Sequence, residues 1–286
     1  MQARSIASTI WSWLQHPKPA RLLHVFDVAC NVLAEDGTVF SIVTSTVGDG
    51  PFNIVLDAVN FSDYAADDTA VRIGQGRIWL GDLEILLDSA QIWEPRFDWA
   101  SFLGGQESLS PSAEKLKDVL VEKAPDESFV SLIYPRGPSV GKIEAQILQS
   151  AQEPAHTLIA GLLDQDEDLC RASARSLAGL GVGLTPDGDD FMMGCILAYW
   201  AQRAGQGVEK VASWVTQEAV PRTTPISAAW LRAAGRGESS AHWHELLRAI
   251  LAENENKLRD TAGAIIHQGH TSGASALAGF SAMARS

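Results

Sequence analysis

Between Gly179 and Asp190 the chain reads Gly-Leu-Gly-Val-Gly-Leu-Thr-Pro-Asp-Gly-Asp-Asp. The alternating glycines let the backbone turn through positive φ and approach a ligand closely. Successive N–H groups in such a loop form an anion-binding concavity. A helix starting near Asp189 adds its free N–H groups and its dipole. Gly181, Gly183, Leu184, Thr185 and Gly188 are therefore candidate binding residues, and Asp189 and Asp190 candidate catalytic carboxylates. The same two carboxylates are candidate Mg²⁺ ligands, since Mg²⁺ takes one or two carboxylates plus substrate oxygens. Neighbours on one helical turn do not both face one ion, so one would cap the helix while the other binds. A plainer reading competes, in which the glycines only let two helices pack and Asp189 only caps the second. The run is not a Walker loop, which needs Lys and then Ser or Thr after its last glycine. Nor is it a dinucleotide fingerprint, because residues 166–178 ahead of it read as helix and not as strand.

Two later segments carry similar residue types. Arg222-Thr-Thr-Pro-Ile-Ser227 sets a guanidinium and the hydroxyls of Thr223, Thr224 and Ser227 around a proline turn. Arg222 can fork onto a carboxylate or phosphate, and the hydroxyls can complete an anion shell. Equally, Thr224 can cap a helix that has Pro225 at its first position. His270-Thr-Ser-Gly273 follows an expected helix end and opens another helix. His270 brings an imidazole, a side chain suited to acid–base work. Thr271 and Ser272 can hold an oxyanion or cap the helix, and Gly273 completes the segment. His24 and Asn31 fall in the first expected hairpin and are candidate binding residues. Asn31 sits on a strand that reads as buried, where its amide needs partners. His242 and His244, two apart on a helix, point different ways and do not chelate one metal. No thiol–imidazole cluster suits zinc, and there is no Gly-x-Ser-x-Gly nucleophile turn.

The scaffold that must position these groups has 286 residues, 46% hydrophobic and 20% charged, enough for two domains or one large one. A net charge of −13 argues against nucleic acid as a partner but leaves room for a local anion site. Three cysteines without Cys-x-x-Cys spacing suit a reducing compartment. The apolar stretch 6–14 is short, interrupted by polar residues, and lacks the core and cleavage site of a signal peptide. No segment reaches the roughly 18 apolar residues of a membrane span. The expectation is a cytoplasmic protein without a membrane partner.

The first part reads as β. Two β-favouring runs, 22–33 and 38–44, flank Asp36-Gly37 and predict a hairpin. A further strand is expected over 53–59. Short runs at 71–73, 77–80 and 83–88, split by turn signals, suggest a small barrel or sandwich. Residues 112–122 read as helix, and 129–134 as a strand or a buried link. Helices are then expected over 142–151, 154–163, 167–179, 189–204, 207–218, 226–234, 240–251, 253–267 and 272–284. The fold class is α+β, with a β-rich N-terminal domain over 1–110 and a mostly α-helical domain over 111–286.

Taken together, the run 179–190 with Phe191 and Gly194, the segment 222–227, and Gly269-His-Thr-Ser-Gly273 with Leu277-Ala-Gly279 resemble one family. It is the AllH-type subunit of the oxamate carbamoyltransferase of anaerobic allantoin breakdown. Leu23-His-Val-Phe26 with Asn31, and Gly50-Pro51 ahead of a strand, are similar to that family's opening. Asp187 stands where variation is expected and is given no role. Ser275 stands where many relatives are expected to carry an acidic residue, and Val25 where Ser is expected. The resemblance implies carbamoyl transfer between oxalurate and phosphate, giving oxamate and carbamoyl phosphate. It also implies that the chain works with other, unrelated carbamoyltransferase subunits. Phosphate and carbamoyl phosphate are small anions that suit a glycine nest with Arg222. The tetrahedral oxyanion of the transfer suits N–H groups and hydroxyls, and phosphate can attack directly in an oriented ternary complex. Two other readings stay open: a non-catalytic phosphate- or nucleotide-binding partner subunit, and a stand-alone Mg²⁺-dependent enzyme acting on a phosphorylated or ureido substrate.

Overall fold

A computed structural model describes residues 1–135 and 140–286. The chain divides into two compact units, Met1–Arg96 with Glu238–Ala241, and Phe97–Gly237 with His242–Ser286.

The first unit is one curled nine-stranded sheet, a half-barrel. In chain order it comprises β1 (Ala3–Ala7), helix α1 (Ser8–Leu14), β2 (Ala20–Val25), β3 (Ala29–Ala34), β4 (Val39–Thr44), β5 (Asn53–Leu56), β6 (Ala70–Gly74), β7 (Arg77–Leu80), β8 (Leu83–Leu86) and β9 (Gln91–Trp93). The strand order is β8-β7-β6-β2-β3-β4-β5-β1-β9, antiparallel except for the β4–β5 and β1–β9 pairs. The Asp36-Gly37 hairpin forms as expected: Leu33 pairs with Val39, and the Thr38 N–H donates to Asp36 Oδ1. The run 22–33 is not one strand. It bends after Val25, and its two halves pair as β2 and β3, closed by the Phe26 N–H on the Ala29 carbonyl. The apolar stretch near the N-terminus splits into β1 and α1, with Ile6 fully buried in the strand.

The second unit is helical. It holds α2 (Leu109–Lys123), α3 (Val130–Ile133), α4 (Lys142–Asp164), α5 (Glu167–Leu177), α6 (Asp187–Gln202), α7 (Val208–Ala219), α8 (Pro225–Gly235), α9 (Ala241–Leu251, whose first residue belongs to the other unit), α10 (Glu255–Ile266) and α11 (Ser272–Arg285). Residues 129–134 therefore contain a short helix and no strand. The two helices expected on either side of 152–153 are one, since α4 runs through Pro154. Proline removes one helical hydrogen bond and crowds the preceding turn. Here the buried face Ala151, Ala155, Leu158, Leu162 continues across it at spacings of four, three and four, so tertiary burial holds the helix together.

The core centres on α6, which is buried along its whole length from Asp187 to Ala201. A helix buried on every side needs close neighbours. A Cβ at Gly194 would overlap the Ala276 carbonyl oxygen, and one at Gly279 would overlap that of Phe191. These two glycines let α6 and α11 pack backbone to backbone. The helices run in the same direction, because Ser275 meets Asp187 at one end and the Gln202 amide donates to the Met283 carbonyl at the other. Their N-termini therefore lie side by side. Among the described residues no helix is long and apolar enough to cross a membrane.

Candidate functional site

The glycine loop links α5 to α6. Gly181 adopts φ 134°, and a Cβ there would press on the backbone N–H of Asp187 and lie 3.0 Å from its Oδ2. Only glycine lets the loop fold back this tightly over the start of the next helix. Gly183 also has positive φ, while Gly188 lets the first turn of α6 approach the carbonyl of Leu177. The plainer packing role thus accounts for Gly188, and also for Gly273, whose Cβ would overlap the Ile265 carbonyl oxygen.

Helix α6 begins at Asp187, two residues ahead of the expected start, with Pro186 in the cap position. Asp189 is therefore in the first turn and is not the cap. Its carboxylate turns back to the loop and to the segment ahead of α8. Oδ1 accepts the Gly179 N–H at 3.1 Å, and Oδ2 accepts the hydroxyls of Thr223 and of Ser227, the latter at 2.8 Å. Thr224 caps α8 as expected, accepting the Ser227 N–H at 3.1 Å, with Pro225 at the first position. Its hydroxyl also donates to the Leu184 carbonyl.

On the other side the loop is tied to α11. The hydroxyls of Thr185 and Ser272 are 2.6 Å apart, and Ser275 donates to Asp187 Oδ1 at 2.6 Å. Thr271 precedes α11 without a side-chain capping bond. Three segments far apart in sequence, 179–190, 222–227 and 270–275, thus meet at the N-termini of α6 and α11. Asp187, Thr271 and His270 line a cleft of about 320 Å³ with Glu127, Glu144 and Val182. His270 Nε2 lies 2.7 Å from Glu127 Oε1.

The electrostatics follow from burial. Asp190 is only 6% exposed, and its Oδ2 has no hydrogen-bond partner. Burial drives its pKa well above the ordinary 3.8; the Ser272 hydroxyl opposes this, and the Asp187 and Asp189 charges reinforce it. Burial also raises Asp187, against the hydroxyls of Ser275 and Thr271, and Asp189, against Thr223, the Gly179 N–H and Ser227. Among the described residues no three His, Cys, Asp or Glu side chains are grouped to hold one metal ion. The three thiols are free and buried, and burial pushes those of Cys30 and Cys170 up to about 12.

Arg222 lies outside this cluster. Its Nη1 donates to the Glu218 carbonyl and pairs with Glu218 Oε2 at 3.2 Å, beside Arg171 and Arg175 on the same carboxylate. His24 and Asn31 belong to the sheet unit, where they face each other across β2 and β3. The partner that buried Asn31 needs is Ser41, whose hydroxyl donates to Asn31 Oδ1 at 2.7 Å. His244 packs edge-on against Phe97, and His242 Nδ1 lies 2.8 Å from the Gln268 amide.

The residues that sequence reasoning passed over are Asp187, Ser275 and Glu127. A signal existed for the first two. Asp187 follows Pro186 at a helix start, and Ser275 comes one helical turn after Thr271, on the same face. Glu127 lies in the irregular link between α2 and α3 and carried none.

No curated protein and no solved structure matches the chain. Two family models do. Residues 2–92 match the AllH family N-terminal domain, and residues 177–284 match the oxamate carbamoyltransferase subunit AllH. The second match begins at the end of α5 and runs through the glycine loop, the Thr223–Ser227 segment and α11. With both models met in order along one chain, this protein belongs to the AllH family of oxamate carbamoyltransferase subunits.

Proposed function

We propose that this chain is a working subunit of an oxamate carbamoyltransferase, and that the substrates of carbamoyl transfer meet the paired N-termini of α6 and α11. The supporting observation is the joining of three remote segments by side-chain hydrogen bonds: Thr223 and Ser227 on Asp189, Ser272 on Thr185, and Ser275 on Asp187. The reaction in this reading is the one that the resemblance implies. A phosphate oxygen attacks the carbamoyl carbon of oxalurate, the bond from that carbon to the inner nitrogen breaks, and oxamate leaves with a proton on that nitrogen. Carbamoyl phosphate is the other product, as in breakdown of an allantoin-derived ureido acid.

In this reading His270, backed by Glu127 at 2.7 Å, delivers the proton to the leaving nitrogen. Asp190, whose pKa burial raises, serves as a hydrogen-bond donor toward developing negative charge. The loop 181–185 and the hydroxyls of Thr271 and Ser272 bind the carbamoyl and phosphate oxygens. Asp189 positions the loop. Other carbamoyltransferase subunits complete the enzyme. Free, buried thiols suit a reducing compartment and support work in the cytoplasm.

The test is reconstitution with the partner subunits, following oxamate released from oxalurate and phosphate. Asp190→Asn and His270→Ala are expected to lower turnover with the complex intact. Unchanged turnover in both overturns the assignment. A second reading, a subunit that supports a site on its partner, draws on Asp189, whose two oxygens are both satisfied within the chain. It predicts assembly defects in the same variants where the first predicts slow turnover.

A further inference from the structure

Strand β1 is irregular where it meets β5. Ala3 pairs with Leu56 and Ser5 with Val55, so Arg4 is the extra residue of a β-bulge. A regular strand sends successive side chains to opposite faces. The bulge breaks that alternation, and Arg4 and Ser5 line one groove of about 450 Å³. Gln91 of β9 pairs with Ser5 and lines the same groove.

Another part of the wall is the link between β4 and β5. These strands are parallel, and residues 45–52 alone join them, fewer than the dozen or so residues of an ordinary crossover. The link is pinned along its length. The Gly48 N–H donates to the Thr44 carbonyl at 3.1 Å, and the Asn53 amide to the Gly48 carbonyl at 2.9 Å. The Thr9 hydroxyl donates to the Pro51 carbonyl at 2.8 Å, and that of Ser5 to Asp49 Oδ1 at 2.5 Å. Asp49 is thereby fixed in the groove wall, with Oδ2 left as an acceptor.

Charge decides what fits. The described residues of the wall carry the guanidinium of Arg4 and the carboxylates of Asp49 and Asp57. Arg4 Nη1 meets Asp57 Oδ1 at 3.3 Å, a single contact between exposed side chains. Such a pair contributes little, and the other N–H groups of Arg4 form a fork for a second carboxylate. A simple anion would gain Arg4 but meet Asp49 and Asp57, and a simple cation would gain the acids but meet Arg4. A molecule that carries both charges a few atoms apart answers both. Its ammonium brings three donors and no acceptor, and Asp49 Oδ2 with the side-chain oxygens of Ser45 and Gln91 supplies acceptors.

We infer that this groove binds a small zwitterion, an α-amino acid, with its carboxylate on Arg4 and its ammonium on Asp49. The groove belongs to the sheet unit, and the inference is independent of the transfer site proposed in the helical unit.

The test is titration calorimetry on the full chain with glycine, L-serine and L-glutamine, beside acetate and methylamine, which are glycine without its amine and glycine without its carboxylate. At least one of the amino acids is expected to bind, with acetate and methylamine at least about tenfold weaker, the size of one lost hydrogen bond to a charged group. Arg4→Gln and Asp49→Asn should each weaken that amino acid by about tenfold or more. Arg4→Lys keeps the charge, loses the fork and should fall between. The Arg4 side chain is 58% exposed, so its variants give a readout even where Asp49→Asn disturbs the link. His270→Ala, in the other unit, should leave the affinity unchanged. Absence of binding by all three amino acids overturns the inference. So does acetate or methylamine binding as tightly as the amino acid, or an unchanged affinity in both Arg4→Gln and Asp49→Asn. A loss with His270→Ala as large as that with Arg4→Gln overturns it too.

Discussion

Ser275 donates to Asp187 at 2.6 Å across 88 residues of sequence, and the bond joins the first turn of α11 to the first residue of α6. It is a hydroxyl given to a buried carboxylate, a donor–acceptor pair.

Ser275→Ala should therefore cost more than an average surface change. The variant leaves Asp187 buried and short of a donor, and the expected loss is about 1–3 kcal/mol by urea unfolding. Ser275→Asp should be worse at pH 8 than at pH 5, because two carboxylates then share the site. Equal stability of Ser275→Asp at the two pH values counts against the pairing.

Asp190 makes the pH dependence of stability run upside down for an acidic residue. Its folded pKa is raised above the ordinary 3.8, so its contribution is fully present below about that pH and is lost as pH rises through the folded value. Asp187 and Asp189 shift in the same direction, again by burial. Stability should fall as pH rises above 4, by about 1.4 kcal/mol per pH unit for each proton the native state retains. Asp190→Asn removes one such proton and should flatten the profile. Parallel profiles for wild type and variant over pH 4–8 would refute the raised pKa.

The α6–α11 contact admits no added carbon. Gly279→Ala drives a methyl into the Phe191 carbonyl, and a loss above about 3 kcal/mol or failure to fold is expected. Gly263, inside α10, is the control. Among the described residues, outside its own helix backbone and chain neighbours, an added Cβ would meet only the tip of Lys123, 3.7 Å away. Gly263→Ala should stabilise by about 0.5–1 kcal/mol through helix propensity. Thermal melts of the two variants decide the matter.

Arg222 and the hydroxyls next to it in sequence should separate cleanly in function. Arg222 faces Glu218 on an exposed ion-pair cluster, so Arg222→Ala should leave turnover of the reconstituted transferase and the melting temperature nearly unchanged. Thr223→Val with Ser227→Ala frees Asp189 and the loop it holds. Loss of about a hundredfold in turnover is expected from misplaced substrate groups. The opposite ranking would put the anion site at Arg222.

Much of this was legible in the sequence because it rests on local rules. The Asp36-Gly37 hairpin, the Thr224-Pro225 cap and the β-then-α order each follow from residues within a few positions of one another. The three hydroxyl-bearing segments could be picked out by composition, yet their junction is tertiary and depends on α6 and α11 lying parallel. Where prediction went astray, burial overrode a local signal. Pro154 reads as a break, but the apolar face of α4 continues through it. Residues 129–134 read as a strand or a buried link; four of them form a helical turn whose Val130 and Leu132 are buried. Arg222 is a separate case: Glu218, one turn back, pairs with its guanidinium.

Because α6 is buried on every side, it has no face of its own to show to water. On the ribosome it emerges dozens of residues ahead of α11, the helix that packs against its Gly194. For that interval a nearly all-apolar segment capped by three acids stands without its cover. The three aspartates are then the only charges the segment holds against water, and chaperone-selective ribosome profiling is expected to find the stretch between α6 and α11 attended by chaperones.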